Sequence, residues 1–136
     1  MTIEEARAAV YEAFQDTWDE DDAVATFEGE RFVPPEPPTS PWIRVSMQFA
    51  AANQRTIGPV GLRKIRRAGT IFVQIFVPRD EGMQRADQLA DLVKEIVEAT
   101  TIGDVHCYAS TARVVGTDEA WMQVNVATPF DVDDVR

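Results

Sequence analysis

The segment Thr70–Val77 reads Thr-Ile-Phe-Val-Gln-Ile-Phe-Val, with a β-branched or aromatic side chain at every position but Gln74. Side chains of this kind lose rotamer freedom in a helix and pack well on a pleated surface. Apolar groups fall on both alternating sets, so the run predicts a central strand covered on much of both faces, and Pro78 ends it. A chain built around such a strand must supply other strands to pair with it and a layer to cover it.

Candidate partners follow from alternation. In Trp42–Phe49 the residues Ile43, Val45, Met47 and Phe49 alternate with Arg44, Ser46 and Gln48, the pattern of a strand with one wet face. Two further segments, about Val105–Val115 and Trp121–Thr128, are joined by Gly116-Thr117-Asp118-Glu119 and predict an antiparallel hairpin. A weaker strand is expected within Val24–Phe32.

The covering layer is helical. Thr2 and Glu5 have capping-box spacing, and Ile3, Ala6, Val10 and Phe14 follow at steps of three and four, which predicts an amphipathic helix from residue 3 to about 17. A second helix opens after Gly82, carries Met83, Ala86, Leu89, Val93 and Ile96 on one face, and ends near Thr100–Gly103. The expected fold is α+β in the order αβββαββ: a mostly antiparallel β-sheet with two helices packed on one face. A chain of 136 residues suits a single domain, residues 1–136. Trp121 and Phe72 are expected to be largely buried in its core.

Charge is unevenly distributed. Between Arg55 and Arg67 lie Arg55, Arg63, Lys64, Arg66 and Arg67 and no acid, in a chain with 13 basic and 23 acidic residues and a net charge of −10. A body this acidic repels phosphate backbones, which argues against general nucleic-acid binding. Near the start, Glu4, Glu5 and Asp-Thr-Trp-Asp-Glu-Asp-Asp at 16–22 stand where a secretory signal would need a cationic start and an apolar run. No stretch is apolar for long enough to span a bilayer, and the lone Cys107 suits a reducing compartment, so a cytoplasmic protein is expected.

Two connections stand out. Residues 33–41, Val-Pro-Pro-Glu-Pro-Pro-Thr-Ser-Pro, hold five of the eight prolines and read either as a stiff surface connector or as a polyproline ligand for an aromatic groove. The segment from about 52 to 66 is long for a link between paired strands, is polar, and is punctuated by Gly58 and Gly61. It is expected to be a loop that the domain's own core does not hold. The last residues, about 131–136, read as a solvated acidic tail.

Catalytic sets are hard to assemble from this sequence. His106 and Cys107 are adjacent, and on a strand adjacent side chains point to opposite faces, so they cannot form a nucleophile–base pair. One histidine and one cysteine are too few for a zinc site. Asp-Val-Asp-Asp at 131–134 lacks the remainder of a calcium-loop pattern. The expectation is no catalytic residue, no metal and no cofactor.

The order of several short pieces resembles one family. Trp42-Ile43-Arg44-Val45 is followed by a long loop with Gly58 and Gly61. Arg67-x-Gly69-Thr70-Ile71-Phe72-Val73-Gln74-Ile75-Phe76-Val77-Pro78 comes next, then Gly82 opening a helix, and finally Trp121-Met122-Gln123-Val124-Asn125-Val126 with Pro129-Phe130. Over about residues 40–130 this resembles the tail terminator-like proteins of long-tailed phages, relatives of which occur in gene transfer agents. The resemblance implies a structural, non-enzymatic subunit. It would form a homo-oligomer, a hexameric ring on the last ring of the tail tube protein, stop tube polymerisation and meet a head-completion or neck protein, with DNA only as passing cargo and no membrane partner. Assembly would be cytoplasmic, the product a part of the particle at the head–tail junction.

The family offers no catalytic motif to carry over. Subunit or tube contacts are expected in the long loop, at Arg55, Ile57, Leu62, Arg63, Lys64, Arg66 and Arg67. Another neck or head-to-tail connector, a monomeric regulatory binding module and a small enzyme are the competing readings. Binding to portal-type rings, persistent monomers, or a pocket with a perturbed acid or base would mark each of these respectively.

Overall fold

The computed structural model describes residues 1–118 and 120–136; Glu119 of the expected hairpin link lies outside them. Helix α1 spans Ile3–Thr17 and α2 spans Met83–Val97. The strands are β1 (Val24–Phe27), β2 (Trp42–Gln54), β3 (Lys64–Pro78), β4 (Thr101–Ile102), β5 (Val105–Cys107), β6 (Thr111–Thr117) and β7 (Trp121–Val135). They form one sheet in the order β1-β2-β3-β7-β5-β4, with β6 also beside β7. The α+β class, the mostly antiparallel sheet and both helices agree with the sequence.

The capping box is present in full. Thr2 accepts from the Glu5 amide at 3.1 Å and Glu5 accepts from the Thr2 amide at 3.0 Å, satisfying two donors that the first turn leaves free. The core lies between the helices and one sheet face. Antiparallel register aligns apolar residues in rows across the three long strands, Ile43–Ile75–Val124 and Val45–Val73–Val126, because directly paired residues share a face. Ala6, Val10 and Phe14 of α1 and Leu89, Val93 and Val97 of α2 close over these rows and are buried.

The structure corrects four expectations. Phe72 is only half-buried, because the core claims the odd-numbered residues of β3 and turns Phe72 to the opposite, more polar face; Trp121 is buried as expected. The segment 105–115 is two strands, β5 and β6, interrupted at Tyr108–Ser110. The loop expected from about 52 to 66 shrinks to 55–63, since β2 runs on to Gln54 and β3 starts at Lys64. The acidic tail is strand: β7 continues to Val135, with Asp131–Val135 paired to Lys64–Ala68.

Pro129 sits inside β7 without breaking its ladder to β3. Its carbonyl accepts from the Tyr108 amide at 2.9 Å, so its nitrogen, on the same side, faces the gap between β5 and β6. The strand expected within Val24–Phe32 ends at Phe27 and pairs with β2 in parallel, the sheet's one departure from antiparallel order among the described residues. A parallel neighbour requires a long crossover. Residues 28–41 provide it, with Phe32 tilted against Trp42 at 4.8 Å, and Pro34, Pro35 and Pro38 bordering a hollow with Trp121. The proline segment therefore serves as connector and cover over the chain's own aromatic cluster.

Candidate functional site

Past Phe49 the β2–β3 hairpin leaves the helices behind. Ala50–Gln54 are exposed, a register shift between Phe49 and Ala51 bends the strand, and the pair continues to Gln54↔Ile65 as an arm. Gly69 marks where the arm leaves the body. A Cβ on it would lie 1.9 Å from the Gln48 carbonyl oxygen, so no larger residue fits that approach. The rings of Phe49 and Phe130, its two cross-strand neighbours, meet edge to face at 5.2 Å.

The arm has a held base and an open tip. At the base, Arg66 Nε and Nη2 donate to the two carboxylate oxygens of Asp133 at 2.9 and 3.2 Å. That hydrogen bonding holds the Asp133 carboxyl below the usual carboxylate range. Arg67 lies 3.8 Å from Asp134, a buried carboxylate that also accepts from Arg136 Nε at 2.9 Å. The tip, residues 55–63, has little inward packing. Its backbone closes with the Arg55 amide donating to the Lys64 carbonyl at 2.7 Å, and a turn joins Pro59 to Leu62.

Three aliphatic side chains crown this tip: Ile57 is 99% exposed, Val60 82% and Leu62 72%. Around them stand Arg55, Arg63 and Lys64, and among the described residues none of these three has a carboxylate within ion-pair distance. Greasy side chains held in water on a narrow arm cost free energy that burial against a partner returns, at about 25 cal/mol per Å² of apolar surface removed from water.

Of the residues singled out from sequence, Arg55, Ile57, Leu62, Arg63 and Lys64 come together at and just below the tip. Arg66 and Arg67 do not join them. They point at the chain's own Asp133 and Asp134. Val60 was missed, although its place between Gly58 and Gly61 gave it the same exposure as its neighbours. Asp133 and Asp134 were missed as partners because nothing local marks residues 67 positions apart as neighbours.

The sheet face away from the helices is a second surface. Arg44, Gln74, Asn125 and Arg113 form a row across four strands, and a hollow of about 460 Å³ beside them is bordered by Glu28, Glu30, Ser46, Gln48 and Phe72. This is a wet, hydrogen-bonding face. His106 is exposed and Cys107 buried on opposite sides of β5, so the two do not meet, and burial pushes the Cys107 thiol up to about 11. Among the described residues, no cluster of three or more His, Cys, Asp or Glu is arranged to hold a metal, and no helix is long and apolar enough to cross a membrane.

Comparison with known proteins follows the same lines. A family model described as phage tail terminator protein matches residues 5–130. A comparison with curated proteins finds no match. One solved chain, 15% identical, superposes with a TM-score of 0.63 over 96% of this chain and 97% of its own, a likeness of fold.

Proposed function

The chain belongs to the phage tail terminator protein family, and from that premise we propose that it is the subunit of a ring, hexameric in its closed form, that seats on the last ring of the tail tube and ends its polymerisation. Its role in the phage tail is structural. The ring's other face would receive the head-completion or neck protein, and the ring would sit at the head–tail junction with DNA passing through as cargo. The supporting observation is the β2–β3 arm. Its tip exposes Ile57, Val60 and Leu62 beside Arg55, Arg63 and Lys64, which have no carboxylate within ion-pair distance among the described residues, a surface suited to burial against another subunit or the tube. Such contacts need not form in dilute solution, and assembly on the tube end fits a cap that must not close prematurely.

The test is assembly. Native mass spectrometry across a concentration series, with and without purified tube ends, should move the protein from monomer to one closed ring. Added protein should fix tube length in electron micrographs. A protein that remains monomeric on tube ends would refute the ring. Binding to portal-type rings in place of tube ends would make it a connector instead.

A further inference from the structure

The groove between the end of α1 and the face of α2 has an apolar floor and a rim whose carboxylates are opposite in charge to the arm tip, with one cation nearby, Arg85, which donates to the Asp22 carbonyl. Its floor is Trp18, Leu92 and Ile96; its rim is Asp19, Asp22 and Glu95; its volume is about 240 Å³. That is smaller than the roughly 300 Å³ at which small-molecule sites begin, and is the scale of a notch for protein side chains. The Trp18 indole nitrogen already donates to the Ala23 carbonyl at 2.8 Å, so the ring offers the groove its apolar surface. Around the rim, Asp16, Glu20, Asp21 and Asp91 are exposed and extend the negative field.

We propose that this groove is the acceptor for the arm tip of a second copy of the chain, with Ile57, Val60 and Leu62 on the apolar floor and Arg55, Arg63 and Lys64 against the acidic rim. The idea rests on the ring reading and names the contact that closes it. A copy cannot fill its own groove. The Arg7 guanidinium donates to the Met47 carbonyl at 3.1 Å, and Tyr11 packs on Phe27, which pairs with Val45, so α1 runs back toward the start of β2 as it approaches Trp18. The tip lies beyond the other end of β2. From Val45 to Arg55 the strand advances about 33 Å at its usual rise per residue. Donor and acceptor at opposite ends of one subunit make a head-to-tail contact, the kind that closes into a ring when the rotation between copies allows. Opposite charge around an apolar centre supplies orientation, and the aliphatic insertion supplies affinity.

Two measurements on the full chain test this. In the double variant Leu62→Cys/Glu95→Cys, oxidation under ring-forming conditions should give a covalent ladder ending at the closed ring, and neither single variant should give one. Separately, Arg63→Glu should raise the concentration for half-assembly by about tenfold or more, and adding Glu95→Arg should bring most of it back. Rings that form by native mass spectrometry yet yield no ladder and no rescue would overturn the tip-in-groove contact and leave the ring standing. If neither the wild type nor any variant forms rings on tube ends, both the contact and the ring reading fall.

Discussion

Arg66 of β3 and Asp133 of β7 are directly paired across the two strands, and the guanidinium meets the carboxylate with two hydrogen bonds. The basic segment and the acidic tail are thereby two sides of one ladder. Much of the positive charge that reads as free in the sequence is spent inside the subunit, and what is left for a partner lies farther out, at Arg55, Arg63 and Lys64.

This pair should give stability a recognisable pH dependence. Asp133 titrates below its ordinary value because Arg66 bonds its charged form. A carboxylate whose folded pKa is depressed stabilises the fold above its unfolded pKa, and that contribution fades as pH falls through the folded one. Chemical denaturation of wild type and Asp133→Asn should therefore differ at pH 7 and converge in acid below the usual carboxylate range. A difference that persists unchanged into acid would show that the asparagine acts through packing and not charge. The pair is partly exposed, so the effect should be small and should shrink in salt.

On β3, neighbouring residues should differ sharply in what they contribute. Ile75 is fully buried between the helices and the sheet, and Ile75→Ala is expected to cost about 2–5 kcal/mol. Phe72, half-exposed on the polar face, should lose clearly less on truncation despite its larger side chain. Urea midpoints of the two variants decide the matter, and equal losses would mean that a partly covered face packs as tightly as the core.

Cys107 should be silent until the chain opens. Its thiol is buried and pushed up to about 11, so at pH 8 the reactive thiolate is on the order of one part in a thousand even before access is considered. A thiol-specific reagent should modify it at the rate of unfolding. Prompt modification of native protein would show that β5 frays from β7, to which it is tied by the pairs His106↔Asp131 and Cys107↔Phe130 and by the Tyr108 amide on the Pro129 carbonyl.

What the sequence discloses follows from how local each cause is. The Thr2–Glu5 box, the helical spacing of α1 and α2 and the alternation of Ile43, Val45 and Met47 are set by residues a few places apart, and the structure has them. The ends of the long strands are set by partners far along the chain. Ala51–Gln54 has neither alternation nor strand propensity, and it is extended because Ile65–Ala68 pairs with it. Asp131–Val135 reads as solvated charge until Lys64–Ala68 is placed beside it. The same non-locality hid the groove, whose floor joins Trp18 to Leu92 and Ile96 on another helix.

Asp134 offers the sharpest test of how the arm is held. It is nearly inaccessible, accepts from Arg136 Nε at 2.9 Å and lies 3.8 Å from Arg67, whose buried Nε has no hydrogen-bond partner among the described residues. Removing the carboxylate leaves a guanidinium beside a void with its nearest anion gone, and a buried group stranded in this way costs about 1–3 kcal/mol. Asp134→Ala is therefore expected to lower stability by that amount. It should also speed amide exchange in Lys64–Ala68, the stretch of β3 that pairs with Asp131–Val135. Replacing Asp134 and Arg67 together with apolar residues, Asp134→Leu with Arg67→Met, removes that pair's charges but leaves Arg136 and the Met1 ammonium, 3.9 Å from Asp134, without their anion, so part of the loss should be recovered. If exchange in Lys64–Ala68 is unchanged in Asp134→Ala, the backbone ladder alone holds the arm, and the charges at its base serve some end other than rigidity.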